Sequence, residues 1–149
     1  RRFWFVRCEP KRDVLFEEFG INDLTYNGAD TPDDVKKLAI KLFDWLNGYE
    51  IRTENGKTKT IKGKLEELGN DADELKIGHS YFLKLIRKTD DETIDPTFSD
   101  LKNIWFYSIV PLIEEYCGFD KNRVEQLLKN LSKKEDFTLE NLKGDKKWN

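Results

Sequence analysis

Apolar residues recur at helical spacing through most of this chain. From Thr31 to Asn47, Val35, Leu38, Ala39, Leu42, Trp45 and Leu46 return every three or four residues, which predicts a helix with a broad buried face. Thr31-Pro32-Asp33-Asp34 supplies a cap, a proline at the first helical position and acidic residues over the first turn, and Gly48 ends the element. A shorter helix is predicted over Asp13–Phe19 through Val14, Leu15 and Phe19, with Gly20 as its stop. Further on, Leu101, Ile104, Trp105, Ser108, Ile109, Leu112, Ile113 and Tyr116 keep helical spacing. Ser99 or Asp100 is expected to cap that helix. Pro111 should kink or split it, because proline cannot bond the carbonyl of Tyr107. Gly118 closes it, and Val124, Leu127, Leu128 and Leu131 predict one more amphipathic helix over Asn122–Leu131.

Strand signals are few. Phe3–Val6 is a short apolar run flanked by arginines and ended by Pro10. Ile51–Ile61 alternates around Asn55-Gly56, a dipeptide favoured where both central turn residues take positive φ, so a small hairpin is expected there. Its lysines, Lys57, Lys59 and Lys62, read as charges guarding an exposed edge, with phosphate contact as the alternative. Lys64–Leu68 allows one or two helical turns, and Lys88–Ser99 reads as a polar loop. Phe137, Leu139 and Leu142 are expected to dock a short last segment, with the residues from Gly144 onward frayed. The fold class is therefore mainly α, with an N-terminal strand and a small hairpin.

Length and charge narrow the function. The 149 residues suffice for one domain, or for one domain with an appendage, and 26 basic against 29 acidic residues leave a net charge of -3. That balance lacks the global positive field of an autonomous DNA-binding domain. No apolar run approaches the roughly 20 residues that span a bilayer, and no signal peptide opens the chain, so a cytoplasmic location is expected. Cys8 and Cys117 form no C-x-x-C pair and read as buried reduced thiols, with no structural zinc site. Methionine is absent even at position 1, which points to an excised piece of a longer protein.

Chemistry concentrates in Leu75–Phe82, which holds the only histidine. Gly78 permits a bend or close backbone approach, and Ser80 can cap the helix suggested by Tyr81, Phe82, Leu85 and Ile86. By residue chemistry alone His79 reads as structural, having no second ligand or nucleophile beside it. Glu114-Glu115 is the acidic pair near an apolar helix. Consecutive helical residues point about 100° apart, so the pair reads as a helix-end feature.

The string Ile77-Gly78-His79-Ser80-Tyr81-Phe82, followed after a gap by Ile109-Val110-Pro111-Leu112-Ile113-Glu114-Glu115-Tyr116, resembles the end of the AAA+ module in McrB-type proteins. These are the nucleotide-hydrolysing subunits of 5-methylcytosine-specific restriction systems. Arg1-Arg2-Phe3 with Trp4-Phe5-Val6 and Glu9-Pro10 resembles the family's paired arginines, last core strand and crossing into the lid. On this resemblance residues 1–10 are the end of the core, 11–131 a helical lid and 132–149 a C-terminal tail. It implies that Arg1 and Arg2 reach a neighbouring subunit's nucleotide in a catalytic role, and that Gly78, His79 and Ser80 face the nucleotide cleft and sense its occupant.

For the intact protein the resemblance implies GTP or ATP with Mg²⁺, a homo-oligomeric ring, expected to be a hexamer, and an McrC-like nuclease partner. DNA would be engaged through the assembly. No G-x-x-x-x-G-K-[ST] sequence and no apolar strand ending in paired acids occurs, so the chain alone is not expected to hydrolyse nucleotide. The competing reading is a free-standing helical interaction module whose exposed aromatic residues bind a protein partner.

Overall fold

A computed structural model describes residues 11–25, 29–69 and 76–142. The strand expected at Phe3–Val6, the crossover at Glu9-Pro10, Arg1, Arg2 and Cys8 lie outside them. The fold is mainly helical. Helix α1 (Arg12–Phe19) ends on Gly20, whose φ of 67° lets the chain turn back and bond Phe16 and Glu17. Helix α2 (Pro32–Asn47) begins where Thr31 accepts the Asp34 amide and ends at Gly48, as its punctuation predicts. It is the central element, and its buried face is wider than the sequence pattern implies. Ile40, Phe43, Asp44 and Asn47 join Val35, Leu38, Leu42 and Leu46 inside.

The hairpin pairs β1 (Gly48–Arg52) with β2 (Thr58–Lys62) in antiparallel register, Gly48 opposite Lys62 and Arg52 opposite Thr58. Its turn differs from the expected one. Only Gly56, at φ 77°, is left-handed, and the bonds Gly56 N–H to Thr53 O and Thr53 N–H to Lys57 O make a three-residue loop ending on that glycine. A Cβ on Gly63 would collide with the backbone of Leu46, Asn47 and Gly48. The return strand is thus pressed onto the α2–β1 junction.

A single 3₁₀ segment follows (Lys64–Leu68), and then α3 (Ser80–Leu83). Ser80 is not the cap of α3: His79 occupies that position and no side chain caps it. The expected polar loop holds a small ladder, β3 (Arg87–Lys88) with β4 (Thr93–Ile94). Helix α4 (Phe98–Ile104) is capped by Thr97, not by Ser99 or Asp100. Thr97 Oγ1 accepts the Asp100 amide while the Asp100 carboxylate accepts the Thr97 amide, a reciprocal capping box.

Instead of a break at Pro111, a π-turn covers Trp105–Ile109 and leads into α5 (Val110–Tyr116). The Val110 amide bonds the Trp105 carbonyl, five residues back, so the register slips just before the residue that lacks an N–H. Gly118 and Phe119 both take positive φ at the corner before α6 (Lys121–Leu128), which Asp120 caps. The chain beyond α6 packs back on the core. Phe137 stacks on Phe98 and Trp105 with centroids 5.4 and 5.7 Å apart and meets Phe106 edge-on, and Leu142 is buried as part of the core. Trp105 Nε1 donates to the Leu131 carbonyl at 2.8 Å. Cys117 is a buried free thiol whose pKa is pushed up by that burial.

Candidate functional site

The Gly78-His79-Ser80 segment is held from two sides. On one, Asn47, the last residue of α2 and almost fully buried, pairs its side-chain amide with the backbone of Ile77. The Ile77 amide donates to Asn47 Oδ1 at 2.7 Å, and Asn47 Nδ2 donates to the Ile77 carbonyl at 2.8 Å. The carboxamide acts as one residue of a β-ladder, satisfying both polar groups of a fully buried isoleucine. Lys76 reinforces it. Its Nζ donates to the Asn47 carbonyl at 2.6 Å and lies 3.7 Å from Glu66. The hydroxyl of Tyr116 in α5 reaches the Lys76 carbonyl at 3.5 Å.

On the other side, the Lys11 amide donates to His79 Nδ1 at 3.2 Å. A ring nitrogen that accepts must carry no proton, so the neutral imidazole has its hydrogen on Nε2. Gly78 is buried, His79 half-buried and Ser80 exposed. The structure thus brings these three into one segment between the start of α1 and the end of α2. Arg1 and Arg2 lie outside the described residues.

Next to Lys11, Arg12 is the joint between α1, α2 and the hairpin. Its guanidinium lies between the rings of Phe16 and Tyr49, 4.8 and 4.5 Å from their centroids, and its Nε contacts both carboxylate oxygens of Asp44 at 2.9 and 3.0 Å. Burial pushes Asp44 up to about 6, even though Arg12 pulls the other way. A groove of about 530 Å³ runs past this joint, lined by Lys11, Arg12, Phe43, Tyr49 and Glu50. A recess of about 350 Å³, with Asn47, Ile61, Glu66 and Lys76 in its walls, lies across β1.

Sequence reasoning missed Asn47, Asp44, Arg12 and Lys76. One signal was available: Ile40 and Phe43 are apolar but lie outside the predicted α2 stripe. They imply a second packed face, on which Asp44 and Asn47 would need partners. Lys57, Lys59 and Lys62 are exposed on the hairpin, Lys62 opposite Gly48 at its base. Among the described residues no three His, Cys, Asp or Glu side chains gather as a metal site requires. Nor is any helix there long and apolar enough to cross a membrane.

The donor set can receive a polar ligand. Ser80 presents a hydroxyl that caps nothing, and His79 carries a donor on Nε2. Residues 57–125 match the family model described as McrB, alpha-helical lid domain. No curated protein and no solved structure matches the chain.

Proposed function

We propose, from the premise that residues 57–125 form an McrB-type α-helical lid, that this chain is the nucleotide-sensing and ring-forming part of an McrB-like AAA+ NTPase acting in restriction of modified DNA. The observation that carries the reading is the Gly78-His79-Ser80 segment, positioned between the first residues of α1 and the last of α2 within that lid. His79 and Ser80 would contact GTP or ATP through Nε2 and the hydroxyl. The Mg²⁺-nucleotide would supply the phosphoryl group whose loss the lid registers.

Arg1 and Arg2 act in trans on a neighbouring subunit's nucleotide, since a guanidinium stays charged and forks onto phosphate oxygens. The ring is a homo-oligomer, in hexameric form, that recruits an McrC-like nuclease and meets DNA through the assembly. Hydrolysis itself requires a phosphate-binding loop from outside this chain.

The test uses the full-length gene product. His79→Ala and Ser80→Ala should each weaken GTP or ATP binding or slow its hydrolysis by roughly tenfold, with the nucleotide-dependent assembly state reduced in sedimentation. Arg1→Ala with Arg2→Ala should depress hydrolysis while leaving nucleotide affinity in place. Unchanged affinity, turnover and assembly in the His79 and Ser80 variants would overturn the sensing role, and unchanged turnover in the arginine variant would overturn the trans role.

A further inference from the structure

We propose that Asn47 is the positioning residue of the His79 segment. It fixes the backbone at Ile77 so that the imidazole two residues on meets the Lys11 amide in one tautomer. This deepens the lid reading above and rests on it for its functional meaning, while its structural content stands on the contacts alone.

The reasoning begins with what the segment lacks. Ile77 and Gly78 belong to no helix or strand, and α3 begins at Ser80 with only four residues and no capping side chain. Such a stretch has little intrinsic preference for one conformation. Its order must come from tertiary partners. Asn47 provides two of them through a side chain 4% exposed. Neither aspartate nor glutamine can replace it: a carboxylate lacks the donor for the Ile77 carbonyl, and a longer side chain displaces the pair.

Lys76 adds a third bond, from its ammonium to the carbonyl of the same Asn47, so two consecutive residues are tied to one. Two residues after Ile77, the imidazole receives the Lys11 amide. The chain from Lys76 to His79 is therefore fastened at both ends, to α2 by Asn47 and to the α1 start by His79. Release of the Asn47 end leaves the imidazole free to rotate and exchange its proton between nitrogens.

Because His79 is the only histidine, the imidazole ¹⁵N spectrum of the full chain reports this site without assignment ambiguity. With its imidazole neutral, the unaltered chain should show the Nε2–H tautomer. In Asn47→Ala, chains that still unfold cooperatively should show averaged nitrogens, and hydrogen exchange at the Lys11 amide should accelerate by about tenfold or more. Should that variant not fold, Asn47→Asp, which keeps the Ile77 N–H bond, carries the same expectation at smaller amplitude. A folded variant with the Nε2–H signature and Lys11 protection intact overturns the proposal, whatever the nucleotide does.

The functional arm is separate. In the full-length gene product, Asn47→Ala should reduce nucleotide turnover by roughly tenfold or more, and it should add nothing to His79→Ala, as residues acting through one another behave. Additive losses would assign Asn47 a merely structural role. If His79→Ala alone changes nothing, the sensing reading fails while the spectroscopic result remains decisive for the positioning.

Discussion

Where α1 and the Lys76–Ser80 segment meet α2, directional polar bonds make joints: the Arg12 Nε–H shared by both Asp44 oxygens, the Asn47 amide on Ile77 and the Lys76 ammonium on Asn47. From α4 to the C-terminal segment the joints are rings, with Phe137 stacked on Phe98 and Trp105 and edge-on to Phe106, and one indole bond to Leu131. The two solutions have different yields. Ring packing removes large apolar area from water with little demand on angle, so it sustains stability. Buried polar joints return little net stability, since desolvation offsets them, but they tolerate few alternative geometries. The region carrying the candidate site is thus built for position, and the region from α4 onward for adhesion.

Removing the centre of the ring cluster should break this comparison most visibly. Phe137→Ala is expected to cost about 3–5 kcal/mol in urea unfolding, although Phe137 lies outside residues 57–125 that match the lid family. A loss below about 1 kcal/mol would show that the segment beyond α6 is dispensable to the core.

A pH series sharpens the polar side. In the folded chain Asp44 holds its proton to about 6, whereas an unfolded carboxyl releases it near its ordinary 3.8. Between those values the folded state binds more protons. The contribution is therefore complete below about pH 4 and is lost as the pH rises to about 6, by at most about 3 kcal/mol. Asp44→Asn should remove this slope. The measurement is the difference in unfolding free energy between the two chains at pH 4, 5, 6 and 7, and a constant difference would refute it.

The smallest effect is local. Thr97→Ala deletes one arm of the α4 capping box and should cost about 1 kcal/mol, with no change in the imidazole spectrum of His79. A shift there would mean that the two regions are coupled more tightly than their bonding implies.

Local rules made much of the helical frame legible. Thr31-Pro32 and Gly48 bound α2 because a cap, a fixed φ and a positive φ act within a few residues. Asn55-Gly56 located the hairpin but misled on its turn, since Gly56 alone supplies the left-handed residue and Asn55 does not. Ser99 or Asp100 was the expected cap of α4, and Thr97 takes the position instead. The choice fell to Thr97 because Asp100, three residues on, can return its bond. Pro111 announced a disturbance without its form, because a helix can absorb a missing donor by slipping register as well as by breaking.

The site was legible only as a string. Glycine, histidine and serine stand together in the sequence, but their supports do not: Asn47 is 30 residues from Ile77 and Lys11 is 68 from His79. No periodicity encodes such pairs. Asn47 at a helix end looks like an ordinary C-terminal residue until its partner is seen.

The contact of Gly63 with the α2–β1 junction has a mechanical consequence. With no room for a Cβ between the return strand and the helix end, the ribbon cannot swivel at its base. It leaves the end of α2 as a ribbon whose five-residue strands span about 17 Å. A tilt of α2 by roughly 10° would carry the far end of that ribbon through about 3 Å, so small angular changes at the Asn47 joint arrive at the ribbon tip as displacements the size of an atom.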